Sequence, residues 1–188
     1  YCSLISYAGV DLDMPYLELA NGYDENDKEF EDIIKPDYED FNVIPVKLYL
    51  GGVKAVDGFD VNFSYDSDLL TPVYYKRNKY VQATSIGNAF SSEDNISVVE
   101  SGEKCSYLFT NESRIRLQAT ADKLNPNGKV FLGTFYFQIS DGYTLNDITS
   151  ESFKLVKGAS GLQDGLEIDY NNVTQWVLGE NYFLISGF

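Results

Sequence analysis

The sequence contains no histidine. That removes Ser-His-Asp triads, imidazole acid–base pairs and most zinc or copper sites. It has two cysteines, Cys2 and Cys105, far apart in the chain. Two thiols make no disulfide framework, and pairing or free thiols both stay open. No run of about 18 apolar residues exists, so no helical membrane span is expected. The first residues lack the n-region and h-region of a signal peptide; a secreted form would begin after cleavage. No glycine-rich phosphate loop precedes a helix. Basic residues are scarce, with 14 Lys and Arg against 29 Asp and Glu and a formal net charge of −15. A surface of that sign repels phosphates and anionic lipid, so neither nucleic acid nor membrane is an expected partner. It suits solubility outside a cell and partners with basic patches. With so many carboxylates, some pair falls at glycosidase spacing by chance, and nothing singles one out. The chain is therefore expected not to be an enzyme and to hold no cofactor.

What remains is a chain of 188 residues, 44% apolar and 15% aromatic, with Tyr and Phe supplying 15 and 12 residues. That length fits one domain spanning residues 1–188, able to bury a full core. Tyr, Phe, Val and Ile fill the apolar runs, which favours strands.

The clearest stretch is Val56–Asp66, VDGFDVNFSYD. After an Asp57-Gly58 turn, Phe59, Val61, Phe63 and Tyr65 alternate with Asp60, Asn62, Ser64 and Asp66. A strand throws successive side chains to opposite faces, so one face is oily and one polar. Each buried apolar side chain is worth roughly 1.5–3 kcal/mol. A one-residue slip would expose all four and bury the polar set.

Further strands are expected at Pro15–Ala20, Val43–Leu50, Val73–Tyr75, Tyr80–Val81, Ile96–Val99, Cys105–Phe109, Arg114–Thr120, Phe131–Ser140, Ser152–Val156, Leu166–Ile168 and Tyr182–Ile185. Pro45 lacks an N–H and is expected at a strand start or an edge. Residues 1–14 read as a linker or edge strand. Residues 24–40 carry nine acidic side chains, an insertion that reads as a solvated loop. Asp24, Asn26 and Asp27 hint at calcium, but Glu29 occupies the glycine position of an EF-hand loop. Sequons at Asn62, Asn95, Asn111 and Asn172 are near chance frequency in so polar a chain. Many short strands without helices between them imply an all-β sandwich or jelly roll.

From Pro15 to about Ile185 the chain resembles a cohesin module, the receptor domain of cellulosome scaffoldins. The resemblance lies in Ile44-Pro45-Val46-Lys47-Leu48, in Val56-Asp57-Gly58-Phe59 through Ser64-Tyr65-Asp66 with Leu69-Leu70, in Gly128 through Gly133-Thr134-Phe135-Tyr136-Phe137-Gln138-Ile139, and in Ile148–Val156. The acidic insertion, Ser64 where many cohesins carry asparagine, and the tail with Trp176 mark a divergent type. The resemblance implies a nine-stranded jelly roll of two antiparallel sheets, monomeric alone, found outside the cell or on a bacterial surface. It implies a dockerin partner, with calcium in the dockerin and none here. It also implies contacts at Asn62, Ser64 and Asp66, with Arg116, Gln118, Leu132, Thr134 and Tyr136 on neighbouring strands. The alternative is a carbohydrate-binding module using Tyr74, Tyr75, Tyr80 and Trp176 as exposed rings.

Overall fold

Alternating runs with β-branched and aromatic residues become strands, and the turn residues between them set where each ends. The structure is a computed structural model describing residues 16–22, 42–52, 56–94, 96–98, 114–124, 129–155, 166–170, 173–177 and 183–186. Residues 1–14, the acidic insertion 24–40, both cysteines and the expected strand Cys105–Phe109 lie outside the described residues.

The strands are β1 (Tyr16–Asn21), β2 (Val43–Gly51), β3 (Val56–Tyr65), β4 (Leu70–Lys76), β5 (Lys79–Gln82), β6 (Phe90–Ser92) and β7 (Ile96–Val98). They continue with β8 (Arg114–Leu124), β9 (Val130–Ile139), β10 (Phe153–Leu155), β11 (Leu166–Tyr170), β12 (Val173–Val177) and β13 (Phe183–Ser186). Among the described residues, one short helix, α1 (Ile86–Ala89), precedes β6, and one 3-10 turn covers Leu145–Asp147.

Two sheets form a jelly-roll sandwich. The back sheet runs β13–β1–β2–β9–β4–β5, with β6 also beside β9. The front sheet runs β12–β11–β3–β8–β7, with β10 also beside β3. Every pair is antiparallel except β1 with β13, which run parallel with Leu17 opposite Phe183. Pro45 sits inside the back sheet, paired to Tyr136 of β9. Its other side is open to a proline because β1 pairs only as far as Val46 opposite Asn21. Beyond that, Gly22 donates its N–H to the Pro45 carbonyl at 2.9 Å.

The core fills the gap between the sheets. Phe63 of the front sheet meets Phe135 of the back sheet edge-on at 5.8 Å. Phe153 meets Phe137 at 5.5 Å, and Tyr65 meets Phe137 at 5.7 Å. Rings at these separations add edge-to-face attraction to the area they bury.

Two local departures from regular geometry shape the back sheet. Between Leu48 and Tyr49 the β2–β9 register shifts, so Leu48 faces Gly133 and Tyr49 faces Phe131. Leu132 is the extra residue of this bulge, and it joins the core fully buried. The second lies at the β4–β5 hairpin, where Arg77 and Asn78 have φ of 52° and 63°. Both in the left-handed region make a type I′ turn, which matches strand twist. For Arg77 that conformation is unfavourable by about 1–2 kcal/mol.

Candidate docking face on the front sheet

The inner row of β3 is buried as its alternation requires, with Phe59, Val61, Phe63 and Tyr65 at 3, 0, 0 and 8% exposure. The opposite row is not uniformly open. Asp60 and Asn62 are 6% and 2% exposed, Ser64 is half-buried and Asp66 is exposed. Asp60 has β8 on one side and β11 on the other, and Ser64 has β8 and β10. Gln118 and Glu167 stand opposite Asp60 on its two sides, and Arg116 stands opposite Asn62. Buried polar groups must be satisfied, and both Asp60 and Asn62 are engaged by other groups of the chain. The expectation of Asn62 as a surface contact is therefore corrected: its side chain is inside, closed to a partner and to a glycan at its sequon.

Past Asn62 the face opens. The Ser64 hydroxyl donates a long hydrogen bond to the Lys154 carbonyl of β10, at 3.5 Å. Lys154 is exposed and pairs with Glu151 at 2.7 Å. The hydrogen bond from Lys154 and its positive charge hold the Glu151 carboxyl below its ordinary value of 4.5.

Asp66 ends the strand and builds the turn after it. Its N–H donates to the Ser152 carbonyl at 2.9 Å, and its own carbonyl accepts from Leu69 and Leu70 at 3.3 and 2.8 Å. Its Oδ1 accepts the Asp68 N–H at 3.0 Å, an Asx turn. A carboxylate has about four acceptor sites, so one such bond leaves capacity for a partner's donors. The neighbouring loop is held equally firmly. Ser140 donates its N–H to the Leu69 carbonyl at 2.9 Å. In that loop the Thr144 N–H donates to Asp147 Oδ2 at 2.7 Å. Tyr143 stands there at 45% exposure.

This architecture has counterparts among solved structures. The second type II cohesin module of the adaptor scaffoldin ScaA of Acetivibrio cellulolyticus aligns with a TM-score of 0.50 and 12% identity, over 94% of this chain and 95% of that one. A chain of a type II cohesin–X-dockerin complex from the same organism aligns with a TM-score of 0.53 and 12% identity, over 92% and 96%. Type II cohesin A11 of Bacteroides cellulosolvens aligns with a TM-score of 0.52 and 10% identity, over 90% and 95%. The fold is that of a type II cohesin. No protein-family model matches the sequence, and no curated protein matches it.

The cohesin fold separates residues that the sequence reading had placed together. Leu132, Thr134 and Tyr136 lie on β9 in the back sheet, so they share no face with β3. Leu132 is fully buried by the bulge and Thr134 is 8% exposed. Tyr136 is half-buried, and loss of water raises its hydroxyl above the ordinary 10.0. Arg116 and Gln118 do lie beside β3 in the ladder, though their side chains fall outside what is described. Lys154, Glu151 and Asp68, the exposed neighbours of Asp66, were missed. The only sequence signal for them was the Asp-Ser-Asp turn, because the β10–β3 register is invisible locally.

Of the aromatic residues of the alternative reading, the three tyrosines are engaged with other side chains. Tyr74 and Tyr80 pack against the core of the cohesin fold, and Tyr75 stands edge-on to Tyr80 at 5.2 Å. The side chain of Trp176 lies outside the described residues. Among the described residues, no group of three or more acidic or cysteine side chains is placed to hold a metal ion.

Proposed function

We propose that this chain is a non-catalytic docking module that receives a dockerin on its front sheet. It works outside the cell or at a bacterial surface, as a monomer, in assembling a polysaccharide-degrading complex. The calcium of the assembly belongs to the dockerin, whose loops need it to fold. The observation that carries this reading is the open end of the front sheet, where Ser64, Asp66 and Lys154 are held in place by backbone hydrogen bonds. The likeness to cohesins over more than nine-tenths of the chain supports it, one of the matched structures being a cohesin–X-dockerin complex.

In this reading Asp66 accepts donors from a helix N-terminus, hydroxyl or basic side chain of the dockerin. Ser64, Arg116 and Gln118 extend the contact along β3 and β8. A rigid acceptor at the margin of a flat sheet suits a helical partner, because little ordering is required on docking.

The test is titration calorimetry of the module against a panel of calcium-loaded dockerins. At least one is expected to bind, and Asp66→Ala is expected to weaken that binding more than tenfold, about 1.4 kcal/mol. Its melting temperature should move by only a few degrees, since the side chain holds one exposed turn. Asp66→Asn keeps the turn acceptor and loses the charge, so its affinity should fall between the two. Binding of an insoluble polysaccharide with no dockerin partner would reverse the assignment.

A further inference from the structure

From Leu69 to Ser92 the chain carries Lys76, Arg77 and Lys79 and no Asp or Glu, in a protein of formal charge −15. The fold gathers these three cations at one point. In the β4–β5 hairpin Lys76 is directly opposite Lys79, with Arg77 in the turn between them. All three are exposed, and none is held by an ion pair with a described residue.

Nothing in folding favours this arrangement. Like charges directly opposite across a strand pair repel. The turn is left-handed at both central positions, which favours Asn or Gly at the first; Arg77 stands there instead. Strain and repulsion retained together at an exposed tip point to use. The stem beneath is firm, because Tyr75 and Tyr80 pack ring on ring at 5.2 Å. β5 is also the outermost strand of the back sheet in the described order. Such an edge presents backbone donors and acceptors to an added strand.

We propose that this hairpin is a second docking surface, on the opposite sheet from Asp66, for an extended acidic polypeptide segment. The segment's backbone pairs along β5, and its carboxylates meet Lys76, Arg77 and Lys79. A polypeptide fits better than an acidic glycan, since a glycan cannot continue a β-ladder and the nearby rings are packed on each other or on the core. Nucleic acid is disfavoured by the charge of the whole molecule.

The test is fluorescence anisotropy of a labelled decapeptide of alternating Glu and Thr with the whole chain at low ionic strength. Binding is expected, weakening as salt is added. Lys76→Gln, Arg77→Asn and Lys79→Gln together should lower affinity by about tenfold or more while the melting temperature holds or rises, because asparagine suits the turn. Should that variant melt early, Arg77→Asn alone is measured, with a fall of about threefold expected. Asp66→Ala should bind the peptide as the wild type does, which separates this surface from the dockerin face. No binding, equal binding by the neutralised hairpin, or equal binding of a Lys-Thr decapeptide would overturn the proposal. So would tighter binding of polygalacturonate than of the acidic peptide.

Discussion

Replacing Phe63 by alanine will lower the melting temperature by roughly 6–20 °C. The ring is fully buried at 0% exposure and touches both layers: Phe135 at 5.8 Å across the sandwich and Phe153 at 6.4 Å within the front sheet. Phe→Ala at such a site removes burial and leaves a cavity, together about 3–5 kcal/mol. For a chain of this size each kcal/mol shifts the midpoint by about 2–4 °C. Central β-strands on both sides limit how far the walls can collapse, which favours the upper part of the range. Calorimetric melting of the variant beside the wild type reads the effect. A shift under about 3 °C would mean that the two sheets do not meet at this ring.

Gly133→Ala is the second large effect, and its origin is crowding rather than loss of contact. Gly133 lies at the β2–β9 bulge with φ of 154° and pairs with Ser92 of β6. A β-carbon built there overlaps the Phe90 ring and the backbone carbonyl of Ser91. The ring can turn away, but the carbonyl moves only if β6 moves. Overpacking and the unfavourable backbone angle together destabilise by roughly 2–5 kcal/mol. A companion Phe90→Leu change should recover little, because the backbone obstacle stays. Full recovery by that companion would place the obstruction in the ring alone.

Much of the fold was legible because β-strands announce their faces. The inner row of β3, Phe59, Val61, Phe63 and Tyr65, follows from alternation, and all four are buried. Alternation does not say which sheet a strand joins, so Tyr136 and Thr134 were grouped with β3 although β9 belongs to the other layer. Nor does it reveal a bulge: Leu132 has outward parity in the sequence and turns inward because the ladder slips at Gly133. Asn62 was misjudged for a third reason. Polar parity marks the far side of a strand and does not by itself say whether a residue there is open to solvent. The strands β6 and β12 escaped notice because Phe90-Ser-Ser is too short to show a period and Val173–Val177 mixes polar and apolar residues. Asp66 stands just past the end of β3, and its acid-rich turn is plain in the sequence.

In the proposed function a dockerin lands on the front sheet, at the end where Asp66 and Lys154 are exposed. Covalent footprinting of carboxylates and lysines, read by mass spectrometry with and without a binding dockerin, tests it most directly. Asp66, Glu151 and Lys154 are expected to lose labelling in the complex while Lys47 and Lys129, on the back sheet, keep theirs. Protection confined to Lys47 and Lys129, with Asp66 and Lys154 labelled as before, would contradict it.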